Sequence, residues 1–361
     1  MMAEFTELSE DIILDVIRWL PVKSLIRFTS VSKRWRSIIL SDPQFAASQF
    51  NAARRRKTNR LLLSTDAPQL ATLDLDDTPS FNVSKRSFPF EQPGIGCRVT
   101  LLGCCNGMVF VAVDLVQFYV WNPATGFFKQ LPKPEFVDGL VLREHGVGYL
   151  SATDDYRVLA YSVWIDGDEN DEAEIHVDEE MKMFSSKAHV WKTVQYPAHF
   201  VAYTHRGILL NEALHWSLLD DIVVFDFASE EFRTMVLVPG RHDGVELGSV
   251  GVSEGCLCVC GYVITSVGCS VDFWVMREYG VAESWTKLFN FAYAPTHHPT
   301  PYSDFLVMEN CTVAVEPTGD DICLLKKIDH KQESETGMYM IQACPSLSMI
   351  PYEQSLLRID D

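Results

Sequence analysis

The sequence predicts an α+β multidomain fold: a small three-helix unit, then an all-β propeller-like domain of about six to seven blades. Three observations predict it. The 361 residues exceed one typical domain. Apolar residues follow a helical period from Leu8 to Ile39, then give way to short strands from Arg60 onward. Within the strand region, units of strands and turns return in the same order.

The helical stretch divides into three. Ser9 can cap the first helix, and Glu10 and Asp11 place negative charge in its first turn, where the helix dipole favours it. Ile13, Val16, Ile17 and Leu20 then recur at helical spacing. Pro21 cannot sit inside that helix but can open the next. Leu25 and Phe28 give the second helix an apolar stripe, and Val31, Trp35, Ile38 and Ile39 give one to the third. So short a unit cannot bury all of these side chains by itself. The surplus is expected to face a partner. Asp42-Pro43 reads as a cap with a first-turn proline, opening a further helix to about Arg56. With no Gly/Ser-rich linker between them, the two parts are expected to be coupled semi-rigidly.

The strand region opens with Leu61-Leu62-Leu63 and Leu73-x-Leu75. Residues 76–97, rich in Pro, Ser, Phe and Gly, read as loop. Asn106-Gly107 turns into the strand Met108–Val111; Phe118–Trp121, a turn at 122–126 and Phe127–Pro132 follow. The order returns at Arg206–Leu210, Ala213–Trp216, Ile222–Asp226 and Phe232, and again from Glu254 through Val271–Met276 to Ser284–Phe289. His189–Val194 reads as the closing strand of an intervening unit. At roughly 45–50 residues per blade, residues 61–361 hold six or seven. Asp166–Glu180, with nine acidic residues, and Ala294–Pro301, rich in proline, depart from the blade pattern and read as binding loops or as ordinary loop variation.

Two resemblances rest on these residues. Leu8, Ile13, Ile17, Leu20-Pro21, Leu25, Val31, Lys33 and Trp35 match the spacing of the F-box, with Ser9 standing where that family has its first proline. Trp121-Asn122-Pro123-x-Thr125-Gly126, Leu214-His215-Trp216 and the run from Trp274 to Lys287 resemble the kelch-like F-box-associated domain of plant F-box proteins. The resemblance divides the chain into an F-box at 1–45, a connecting helix at 46–60 and the propeller at 61–361. It implies that Leu8, Ile13, Ile17, Leu20, Pro21, Leu25, Val31 and Trp35 bind a Skp-type adaptor and, through it, a cullin-RING ligase. The propeller would then hold a target protein for ubiquitination. Two other readings stay open: a scaffold that binds the adaptor without ubiquitination of a target, and a kelch-type propeller enzyme.

Composition bears on these readings. The net charge is −19, but residues 1–60 carry +5 and residues 61–361 carry −24. An acidic propeller disfavours nucleic acid and favours a basic target. The basic run Arg54–Lys57 reads as a solvated helix end or a nuclear-import signal. The acidic start Met-Met-Ala-Glu-Phe has no leader pattern, and Gly255–Val271, uncharged but broken by glycines, reads as paired strands and not as a membrane span. A cytoplasmic or nuclear location is expected, with reduced cysteines; Cys256, Cys258 and Cys260 at period two suit the buried face of a strand. No cofactor is expected. His-Glu-x-x-His and phosphate-loop patterns are absent from the sequence. His297-His298 reads as an exposed loop pair without metal, His215 as a packed strand residue, and Asp220-Asp221 and Asp320-Asp321 as turn residues. No catalytic residue is assigned.

Overall fold

The structure is a computed structural model. It describes residues 9–54, 60–64, 70–76, 82–90, 97–114, 116–136, 141–166, 176–197, 200, 202, 205–218, 221–236, 245–265, 268–293, 304–317, 322–342 and 347–359. Four α-helices lie among them: α1 (Glu10–Ile17), α2 (Val22–Phe28), α3 (Lys33–Ser41) and α4 (Pro43–Arg54). The strands form six sheets of four, so the blade number is six.

Local chemistry explains the helix ends. Ser32 Oγ accepts from the Trp35 amide at 3.1 Å and caps α3. Asp42 Oδ1 accepts from the Gln44 and Phe45 amides at 2.9 and 3.2 Å, and Pro43 takes the first position of α4. Ser9 sits at the N-cap of α1, but its side chain makes no capping bond; only its carbonyl accepts, from Ile13. Val31 precedes α3 and is exposed, so it belongs to the α2–α3 turn and not to the α3 stripe. Helix α4 begins at Pro43, where the Asp42-Pro43 pair predicts it, and residues 55–59 lie outside the described ones.

Each blade is an antiparallel meander. The second and third strands are apolar along their length: Met108–Val113 is buried at every position, and Ile222–Phe225 likewise. Both faces of these strands meet neighbouring blades, so the sequence runs apolar instead of alternating. Outer strands such as Val190–Thr193 and Glu231–Val236 are largely exposed. The stretch expected as loop at 76–97 contains one of these outer strands, Asn82–Arg86, which pairs with Leu70–Asp74. Its polar sequence, Asn-Val-Ser-Lys-Arg, gives no periodic signal, because an outermost strand packs little apolar surface. Cys258 and Cys260 are buried and in no disulfide, as the period-two spacing predicts, while Cys256 is half-buried.

Six apolar clusters sit between successive blades. One joins Leu62 and Ile350 of the first blade to Val109 and Val111 of the second. Another joins Phe273 and Phe289 of the fifth to Phe305 and Ile328 of the sixth. The ring closes where Leu61 and Leu73 meet Leu306, Val313 and Leu325. The closing device is strand exchange. The last strand, Ser348–Pro351, becomes the innermost strand of the first blade and pairs with Arg60–Ser64 from Leu61↔Pro351 to Ser64↔Ser348.

Beyond that strand the chain turns into the helical unit. Leu356 is 3% exposed and packs with Ile17, Val22, Leu25, Ile38, Ile39 and Phe45. Two features of the second blade hold this segment. The Asn106-Gly107 turn has positive φ at both residues, and a Cβ on Gly107 would fall 2.3 Å from Ser355 Oγ. Asn122, fully buried, donates to the carbonyls of Ser355 at 3.1 Å and Leu357 at 2.7 Å while its own oxygen accepts from the Ala124 amide.

Three histidines are held neutral, His145 and His215 buried and His330 half-buried. Nδ1 of His215 faces the Ile208 carbonyl at 3.1 Å, which can only accept, so Nδ1 carries the proton and Nε2 accepts from the Tyr279 hydroxyl at 2.8 Å. Burial pushes His215 and His330 down to about 4 and His145 to about 3.

Asn122→Ala leaves two carbonyls of the tail without their donor and is expected to cost roughly 2–3 kcal/mol. A urea midpoint equal to the parent's would contradict the clamp. Leu356→Ala should cost about 2–5 kcal/mol and loosen both domains, read as earlier hydrogen exchange in α2 and in the first blade. The histidines also set a pH dependence. Unfolded, they take up protons below about 6.5, whereas folded they resist until about 4, so their stabilisation is complete above pH 6.5 and lost as pH falls toward 4. Glu144, raised to about 7, and Glu353, also raised by burial, act oppositely, while His205, Asp155 and Glu212, all lowered, act in the same sense as the three histidines. The melting temperature should therefore drop between pH 6.5 and 4.5, with a shallower slope in His215→Gln.

Candidate functional site

Helix α1 and the turn that follows it carry two apolar stripes. Ile13, Ile17 and Leu20 face inward and join the helical core. Ile12, Val16 and Trp19, at the same i, i+4, i+7 spacing, face outward at 50%, 61% and 39% exposure. Val31 adds a fourth exposed apolar side chain at 65%. Pro21, between α1 and α2, is also exposed. Arg18 lies over the Trp19 ring at 5.8 Å and pairs with Asp15 at 3.2 Å. Exposed Lys23, Arg27, Lys33 and Arg36 make the surroundings basic.

The residues expected to contact the adaptor therefore divide. Pro21 and Val31 are exposed. Ile13, Leu20 and Trp35 are half-buried, with Trp35 set edge-on against Phe28 at 5.5 Å. Ile17 and Leu25, 5% and 0% exposed, are taken up by the unit's own core. Leu8 lies outside the described residues. Sequence reasoning missed Ile12 and Trp19. The repeat 12-16-19 signals them, but it lies one residue from the 13-17-20 stripe, and periodicity does not say which stripe turns inward.

Between the helical unit and the propeller lies a cleft of about 490 Å³, lined by Leu20, Pro21, Gln49, Arg54, Glu309 and Glu353. Gln49 is fully buried and donates to the Leu20 carbonyl at 3.4 Å. Burial raises the Glu353 carboxyl, partly offset by Arg54 and by the amides of Asn106 and Gly107. A smaller cavity of about 290 Å³ follows the propeller axis past Cys104, Arg206 and Tyr352. Burial pushes the Cys104 thiol up to about 12, so it is protonated at neutral pH, unlike an activated nucleophile. Among the described residues no three His, Cys, Asp or Glu side chains lie together as a metal site. His297, His298, Asp220, Asp320, Asp321 and most of the acidic segment 166–180 lie outside the described residues.

The two faces of the propeller differ. The turns joining first to second strands, such as Glu254-Gly255, face the helical unit across the cleft. In an antiparallel meander the second-to-third and fourth-to-first connections then leave from the opposite face. The acidic segment joins a second strand, Asp155–Asp166, to a third, His176–Ser185. The Pro-rich segment joins the fourth strand of blade five, Trp285–Tyr293, to the first of blade six, Asp304–Val307. Both leave from the face opposite the helices.

Comparison with known proteins matches this architecture. Residues 5–45 match the F-box domain, and residues 61–359 match the F-box associated beta propeller domain. The F-box protein CPR1 of Arabidopsis thaliana is 32% identical over 306 residues, covering 77% of this chain and 71% of that protein. An F-box/kelch-repeat protein of the same plant is 28% identical over 304 residues, covering 79% and 78%. With its helical unit, its six blades and these matches, the chain belongs to the plant F-box proteins that carry an F-box-associated β-propeller.

Proposed function

We propose that this chain is the substrate receptor of a Skp-cullin-F-box ubiquitin ligase. The outward stripe Ile12-Val16-Trp19 carries the reading: apolar surface left uncovered on a unit whose own core is already filled. The F-box match supports a Skp-type adaptor as its occupant. The propeller holds the target on the face opposite the helices, where the acidic and Pro-rich segments leave the blades. The chain performs no covalent step. It brings a target lysine near the thioester of a charged conjugating enzyme, so its contribution is proximity. The net −24 of residues 61–361 favours a basic target and speeds its encounter.

Burying one large apolar side chain is worth roughly 1.5–3 kcal/mol before association costs. Val16→Asp with Trp19→Ala should therefore weaken adaptor binding by calorimetry at least about tenfold, while the propeller melts as before. Leu20→Ala with Pro21→Ala should do the same through the adjoining turn. Unchanged affinity in both double variants would sink the adaptor reading. Replacing the carboxylates of 166–180 by Ser and Asn should flatten the salt dependence of target association. A variant that associates as fast as the parent at every salt concentration would leave that charge without a steering role.

A further inference from the structure

The inner strands of blades two, three and four place basic residues on one rim. Gly103 of the second blade backs directly onto Val147 of the third, and His145 bridges Arg206 of the fourth. The His145 amide donates to the His205 carbonyl at 2.7 Å. Counted back along these neighbouring, co-directional strands, Arg98, Arg143 and His205 reach one level, at the end of the propeller axis away from the F-box. All three are exposed. The guanidinium groups of Arg98 and Arg143 have no hydrogen bond or ion pair among the described residues.

The nearby carboxylates do not cancel this charge. Asp114 Oδ1 is engaged by the Arg98 backbone amide at 2.6 Å. Glu144 is 2% exposed; one oxygen accepts from the Ala202 amide at 3.2 Å and the other is buried without a partner. Burial raises its carboxyl to about 7, so it carries only part of a charge at neutral pH. His205 is held below the ordinary imidazole value by desolvation and then by Arg143 and Arg98, which leaves it a neutral hydrogen-bonding group between two cations. The positive field is local, set within a domain of strongly negative charge.

We infer that the rim formed by Arg98, Arg143 and His205 is an anion subsite that receives a phosphorylated side chain of the target protein. The inference rests on the target being held on the face opposite the F-box. Two guanidiniums without a partner among the described residues supply forked donors matched to phosphate oxygens, and a dianion answers both charges where one carboxylate answers only one. The surrounding acidic field then selects a phosphosite embedded in basic sequence.

The test uses the full chain bound to its adaptor and immobilised. A degenerate peptide mixture with fixed central phosphoserine is compared with the same mixture carrying serine. Retention of the phosphoserine mixture should exceed that of the serine mixture by at least about fivefold, and Arg98→Ala with Arg143→Ala should abolish the difference. Arg98→Lys with Arg143→Lys should keep part of it, since charge remains but the fork is lost. Equal retention of both mixtures, or a preference that survives the alanine pair, overturns the inference. Calorimetry with pyrophosphate separates a free anion from a peptide: pyrophosphate binding without phosphopeptide retention also overturns it. Adaptor affinity, measured on the same preparations, reports separately on the receptor function.

Discussion

The structure depends on one buried amide. Asn122 ends the third strand of the second blade and meets the segment that leaves the ring-closing strand. Its nitrogen satisfies two carbonyls of that segment, and its oxygen holds its own turn closed. A buried asparagine with every polar atom engaged is favourable; the same residue with one partner missing is costly. The geometry is therefore all or none. When it forms, Leu356 is delivered into the helical core and Ser348–Pro351 into the first blade.

This makes the F-box part of the propeller's closure instead of a bead on a string. A propeller closed by strand exchange needs its two distant chain ends to meet, which costs loop-closure entropy. Here the meeting is reinforced twice, by four paired residues in the first blade and by a leucine side chain in the helices. The Pro21 turn and the propeller rim also line one cleft. Under the proposed receptor role such coupling matters, because a loosely tethered propeller would lower the effective concentration of a target lysine.

Charge is distributed with the same division of labour. The helical unit is basic, the propeller acidic, and the Arg98–Arg143 rim is a local reversal of sign. Whole-domain charge acts at long range on encounter, whereas guanidiniums act at contact on what stays bound. Opposite signs at the two ranges are compatible because salt screens the first more than the second.

By itself the sequence determined the kinds of element and their order. The cap at Asp42, the helical stripes, the Asn106-Gly107 turn and the returning strand units are local signals, and each acts within a few residues of where it is written. The F-box spacing and the propeller motifs followed from them. The polar outer strand Asn82–Arg86 was not legible, because a strand that buries little apolar surface leaves no period. Nor did the sequence distinguish the inward stripe of α1 from the outward one: both are apolar at the same spacing, and only packing against α2, α3 and Leu356 turns Ile17 in and Val16 out. The blade number, the strand exchange and the joining of Arg98, Arg143 and His205 are tertiary facts. They bring together residues tens to hundreds of positions apart, and nothing in the local chemistry of one segment encodes the register at which it meets another.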